Sequence, residues 1–125
     1  MILDTNALSA LAAKDPELRK LLAPSASIVV TLISLGEFHF GLLGSTHRSE
    51  LVIWLDALLA QCDVLQPTDQ TLPHYAAIRQ ELKTAGTPIP ANDVWIAALV
   101  RQHDRPLISR DRHFDLVSDV QRIEW

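Results

Sequence analysis

The chain has 125 residues, 48% of them hydrophobic and 21% charged, with a net charge of −4. One domain of this length buries about two-thirds of its unfolded surface, so its core needs neither a disulfide nor a metal. The acidic balance argues against a broadly basic nucleic-acid face, the lone Cys62 excludes an internal disulfide and suits a reducing cytosol, and the longest nearly uncharged stretch, residues 21–47, contains Pro24, Gly36 and Glu37 and is no membrane span.

In chain order, residues 1–3 form a strand stub and residues 7–13 a short helix. "DPELRKLLA" (15–23) is a second helix, with Asp15 as N-cap, Pro16 at the first position and Glu17 in the first turn. "SIVVT" (27–31) is β-branched and predicts a buried strand. Residues 32–43 predict a mostly apolar helix. In "THRSELVIWLDALLAQC" Leu51, Trp54, Leu55, Leu58 and Cys62 share one helical stripe. "DVLQP" (63–67) is a short strand. Over residues 69–85, Tyr75, Ile78 and Leu82 recur at helical spacing, Pro73 fits only in a first turn, and Gly86 ends the helix. "VWIAALV" (94–100) is apolar on every side and predicts a central buried helix. "PLIS" (106–109) and "VQRIEW" (120–125) are the last strands. Strands alternating with helices predict α/β with a mainly parallel sheet and right-handed crossovers. Sites in such sheets lie at the carboxyl ends of the strands, where Asp4 falls. With no repeat or long linker, one domain over residues 1–125 is expected. No basic n-region precedes an apolar run, so no signal peptide is expected, and the expected location is the cytoplasm.

Four carboxylates stand out, each with a plainer alternative. Asp4 ends a strand and begins a helix, a place for an N-cap, although Thr5 and Asn6 could also cap. Glu37 has no Lys, Arg or other acid anywhere from residue 21 to 47. It either points to solvent or faces a polar pocket where a metal ion would offset its desolvation. Asp93, with Asn92, precedes the buried helix and could cap it. Asp111, in "SRDRHF", could be a turn residue.

Together the four say more. Asp4, Asp93 and Asp111 follow or lie just beyond apolar runs, and strand ends of a parallel sheet converge on one edge. Acids grouped there repel one another unless a cation joins them, and oxygen ligands suit a hard cation such as Mg²⁺ or Mn²⁺. Zinc is not expected, because no histidine pair has ligand spacing with a third partner. The four glycines form no phosphate-binding loop, and no GxSxG elbow is present. The third position after the first strand is Asn6 rather than a second Asp, which favours metal-activated water over an Asp nucleophile.

"ILDTNALSAL", "SLGEF", "PANDVWIAA" and "LISRDRHF", in this order across essentially the whole chain, resemble the PIN-domain ribonucleases, and among them the VapC-type toxins of bacterial toxin–antitoxin modules. The resemblance implies a three-layer α/β/α sandwich around a mainly parallel sheet. It implies Mg²⁺- or Mn²⁺-dependent RNA cleavage, a homodimer and a cognate antitoxin. Asp4, Glu37, Asp93 and Asp111 would be the catalytic and metal-binding quartet, with Asp115 a nearby spare acid. The expected chemistry is in-line attack of metal-activated water on phosphorus, leaving a 5′-phosphate. Asn6, Asn92 and Ser109 could orient ligands or waters. Arg110 and Arg112 flank a proposed ligand and are candidates to bind the substrate phosphates; Arg101 and Arg105 are as well read as solvated surface. Trp54, Trp95 and Trp125 are expected in core or interface. The competing readings are a non-catalytic module of the same fold, a metal-dependent phosphatase of similar topology, or a DNA nuclease.

Overall fold

The computed structural model describes residues 1–22 and 27–125. Among these residues, five strands form one sheet: β1 (Ile2–Leu3), β2 (Val29–Thr31), β3 (Asp63–Leu65), β4 (Leu107–Ile108) and β5 (Arg122–Ile123), in the order β3-β2-β1-β4-β5. Every neighbouring pair is parallel. Although β1 is only two residues long, it is the central strand: Ile2 and Leu3 lie opposite Val29 and Val30 on one side and Leu107 and Ile108 on the other. Each predicted strand is present, but shorter than its apolar run, because a ladder extends only as far as both neighbours do.

Among the described residues, seven helical segments cover the sheet: α1 (Thr5–Ala12), α2 (Pro16–Leu21), α3 (Leu32–Leu42), α4 (Arg48–Leu59), α5 (Leu72–Ala85), α6 (Ala91–His103) and a 3-10 turn over Arg112–Leu116. Asp15 caps α2 through the N–H groups of Glu17 and Leu18, with Pro16 in the first turn, as its sequence predicts. Ala23, the last residue expected in that helix, lies outside the described residues. Pro73 sits in the first turn of α5, and Gly86 ends that helix at φ 70°, a left-handed conformation that costs other L-residues about 1–2 kcal/mol. Cys62 lies beyond the end of α4, yet it still packs with Leu51, Trp54, Leu55 and Leu58 on one core.

The alternation of side chains along each strand makes two cores. Ile2, Val29 and Leu107 point into the layer of α5 and α6, with Ile78, Leu82, Val94 and Ala97. Leu3, Val30 and Ile108 point the other way, into Ala7, Leu8, Leu18, Phe38 and Leu55 of α1 to α4. The result is the expected three-layer α/β/α sandwich. As "VWIAALV" predicts, α6 is buried on nearly every side, from Val94 to Val100 apart from half-buried Trp95. Trp54 packs beside Phe38, and Trp95 stacks on Tyr75 with centroids 3.8 Å apart. Among the described residues, no helix is long and apolar enough to cross a membrane.

The strand order places a topological switch at the centre. The chain runs outward from β1 through β2 to β3, then crosses to β4 and β5 on the far side. The carboxyl ends of β1 and β4 are therefore neighbours, and their loops open into the crevice where such sheets place their sites.

Candidate metal centre

That crevice is a cavity of about 490 Å³ lined by Asp4, Thr5, Asn6, Glu37, Asn92, Asp93, Asp111 and His113, with Pro90, Ala91 and Ile96. The four sequence-predicted acids thus meet, although they come from a strand end, two helices and a loop.

Asp4 follows β1 and is 4% exposed. It caps a helix and lines the cleft as well. Oδ1 accepts the Ala7 N–H at 2.7 Å and caps α1, so the capping role falls to Asp4 rather than to Thr5 or Asn6. Oδ2 accepts the hydroxyl hydrogen of Ser109. Buried Ser109 in turn accepts the Asp111 N–H at 2.9 Å, so one hydroxyl joins the loops after β1 and β4. Burial pushes the Asp4 carboxyl above its usual range; the Ser109 and Ala7 hydrogen bonds oppose this, and the nearby Asp111 and Asp93 add to it.

Asp93 does not cap the buried helix. Pro90 is the N-cap, with no side-chain hydrogen bond, and α6 begins at Ala91, so both Asn92 and Asp93 lie inside its first turn. The sequence suggested a cap because Asn and Asp before an apolar run usually are one. Here the extended backbone of Pro90 starts the helix earlier and carries the Asp93 carboxylate into the cleft. Burial raises its pKa; the His113 hydrogen bond opposes this, and the charges of Asp111 and Glu37 reinforce it. Asp93 Oδ2 and Asp111 Oδ1 each lie 3.2 Å from His113 Nδ1.

Glu37 does not simply point to solvent. It is half-buried on α3, lines the cleft, and Oε1 accepts the Thr5 hydroxyl at 2.7 Å. Asp111 accepts the His113 N–H at 2.9 Å and so opens the 3-10 turn. Thr5 and His113 are the residues that the carboxylate pattern missed. No local pattern marks Thr5. His113 stands in "SRDRHF", but a single histidine carries no ligand spacing of its own.

The two candidate phosphate binders part company. Arg110 lies outside the cleft lining: Nε donates to the Trp125 carbonyl at 3.0 Å, and the guanidinium stacks 4.3 Å from the centre of that ring and 3.7 Å from Asp15. Arg112 is exposed and has no hydrogen bond or ion pair among the described residues. Arg101 forks onto Glu81 at 3.1 and 3.0 Å, binding α6 to α5. Asp115 takes a fork from Arg122 at 2.7 and 2.9 Å, and Arg122 also donates to the Ser109 carbonyl at 3.0 Å. That fork holds the Asp115 carboxyl below its usual range, and Asp115 does not line the cleft.

No Lys or Arg lines the cleft among the described residues, and His113 is its one potential cation. Four carboxylates on one cleft, with the pKa values of Asp4 and Asp93 raised by burial and neighbouring acids, and with hydroxyl and amide groups around them, form an oxygen-rich donor set that fits a hard divalent cation. Asp93, Asp111 and His113 alone bring three donor atoms within 4.8 Å of one another.

Known proteins share this arrangement of the chain. One relative, Ribonuclease VapC1 of Haemophilus influenzae, is 29% identical and aligns over 99% of this chain and 96% of its own. The solved VapBC-1 structure from nontypeable Haemophilus influenzae is likewise 29% identical, with a TM-score of 0.83 over 99% of this chain and 96% of that one. DNA-bound VapBC from Salmonella typhimurium, 22% identical over 99% and 96% of the two chains, shares the fold with a TM-score of 0.87. The family model of the PIN domain matches residues 1–120, and the chain belongs to that family.

Proposed function

We propose that this chain is an Mg²⁺- or Mn²⁺-dependent endoribonuclease and the toxin of a toxin–antitoxin pair. The observation that carries the reading is the meeting of Asp4, Glu37, Asp93 and Asp111 on one cleft without a Lys or Arg among the described residues. The relative named Ribonuclease VapC1, aligned over 99% of the chain, supports RNA as the substrate. Asp4, Glu37, Asp93 and Asp111 would hold the cation, directly or through water. A divalent cation held there would lower the pKa of a bound water and offset charge on the phosphate.

The residues around the acids fix them in place. Ser109 and the Ala7 N–H each engage one oxygen of Asp4, which leaves lone pairs on both for a ligand. Thr5 steadies Glu37. Exposed Asn6 and Asn92, which line the cleft, would orient water or substrate, and exposed Arg112, with no ion pair among the described residues, would be the freer guanidinium for a phosphate.

VapBC pairs among the solved relatives support an antitoxin as partner. Exposed Leu32, Phe40 and Leu43, at 50%, 77% and 66% on and just beyond α3, support a protein surface over that helix, either the antitoxin or a second copy in a homodimer. The reading places one domain over residues 1–125 in the cytoplasm.

The test is incubation of the purified chain with total RNA and Mg²⁺ or Mn²⁺. Wild type cleaves and leaves 5′-phosphate ends, whereas EDTA-treated protein and Asp93→Asn do not. Cleavage that survives EDTA or Asp93→Asn contradicts the assignment.

A further inference from the structure

The Asp93–Asp111 pair is closed by a side chain outside the acidic set. His113 Nδ1 stands 3.2 Å from Asp93 Oδ2 and 3.2 Å from Asp111 Oδ1. The backbone N–H of the same residue donates to Asp111 Oδ1 at 2.9 Å, so the imidazole is tied to the carboxylate it faces. Donors in adjacent positions of an octahedron at about 2.1 Å from an ion lie roughly 3 Å apart. The nitrogen keeps close to that spacing from both carboxylates. Asp93 stands on the first turn of α6, and the Asp111 backbone N–H donates to Ser109 Oγ, so both side chains start from fixed backbone positions beside the ring.

We propose that His113 Nδ1 is a direct donor to the cation held by Asp93 and Asp111, and that this nitrogen tilts the site toward Mn²⁺ over Mg²⁺. The inference rests on the reading of the acids as a divalent-cation site. Mg²⁺ demands hard oxygen donors and gives up water reluctantly. Imidazole is a better ligand for transition ions, so exchanging one oxygen position for nitrogen favours Mn²⁺. Ligation through Nδ1 leaves the ring proton on Nε2. The other possibility is that the imidazole only clamps the two carboxylates by hydrogen bonding and never touches the ion.

Pulsed electron paramagnetic resonance of the full chain loaded with Mn²⁺ separates the two. Direct ligation gives nitrogen-14 modulation in wild type that His113→Gln abolishes. Calorimetric titration of the same proteins then shows Mn²⁺ affinity falling in His113→Gln by at least the roughly tenfold that loss of even an indirect partner costs, with Mg²⁺ affinity much less changed. Mn²⁺ bound without nitrogen modulation, modulation that persists in His113→Gln, or equal losses for both ions overturns the proposal while leaving the cation site intact. Failure of wild type to bind Mn²⁺ at all overturns the proposal and the reading of the acids together. Thermal melting establishes that the variant is folded, and His113→Asn replaces it if it is not.

Discussion

Asp4 joins a helix cap and the cleft lining in one carboxylate. Its sequence position left capping and function as alternatives, because an N-cap and a strand-end ligand look alike in the sequence. In the fold, one oxygen caps α1, the other accepts from Ser109, and the residue lines the cleft. Removing the group should therefore weaken the protein as well as the site. Asp4→Ala loses a cap and leaves buried Ser109 without its acceptor, a cost of about 1–3 kcal/mol that urea unfolding in EDTA would measure. Asp93 should behave in the opposite way, because it shares the raised pKa of Asp4 but caps no helix and satisfies no buried hydroxyl. Its folded pKa is raised, so its contribution to stability is fullest below the unfolded value and is lost as pH rises through the folded value. At neutral pH in EDTA, Asp93→Asn is thus expected to be at least as stable as wild type, with the difference closing as pH falls toward the ordinary aspartate range. Unfolding curves at the two pH values check the sign. Asp115 and Glu81 work the other way: their pKa values are lowered by Arg122 and Arg101, so the stability they add is lost on acidification.

At the scale of elements, the sequence was legible wherever a local rule decides. Asp15 and Pro16 start α2, Gly86 ends α5, and the unbroken apolar run of α6 lies in the core. Gly86→Ala should lower stability by about 1 kcal/mol through its left-handed backbone, with metal affinity unchanged. The start of α6 was less legible, because Pro90 took the cap position that Asn92 and Asp93 could have filled. Arg110 was misleading for a similar reason. Its place beside Asp111 in sequence suggested the substrate, but Trp125 and Asp15 approach from distant parts of the chain and hold it elsewhere. Arg122, which sequence reasoning never singled out, braces the loop that carries Asp111 and His113 through Asp115 and the Ser109 carbonyl. Arg122→Lys keeps the charge and loses the fork. Hydrogen exchange at the Asp111 and His113 amides should then quicken while the global unfolding midpoint moves little.

At the scale of the whole molecule, a parallel sheet with β1 at its centre brings the ends of β1 and β4 side by side, and α3 and α6 add an acid each from the flanks. The alternation of strands and helices made this architecture and the quartet of acids readable in advance. The ring of His113 against two carboxylates and the Thr5–Glu37 hydrogen bond were not, since both depend on contacts between segments far apart in the chain. The central claim is that this convergence creates one cation site. Thermal unfolding with increasing Mn²⁺ tests it most directly, because an ion that binds only the folded state raises its stability by mass action. The wild-type midpoint should climb with Mn²⁺ concentration, while Asp93→Asn, at least as stable in EDTA, should gain little. Equal climbs in the two proteins, or none in wild type, would contradict the account.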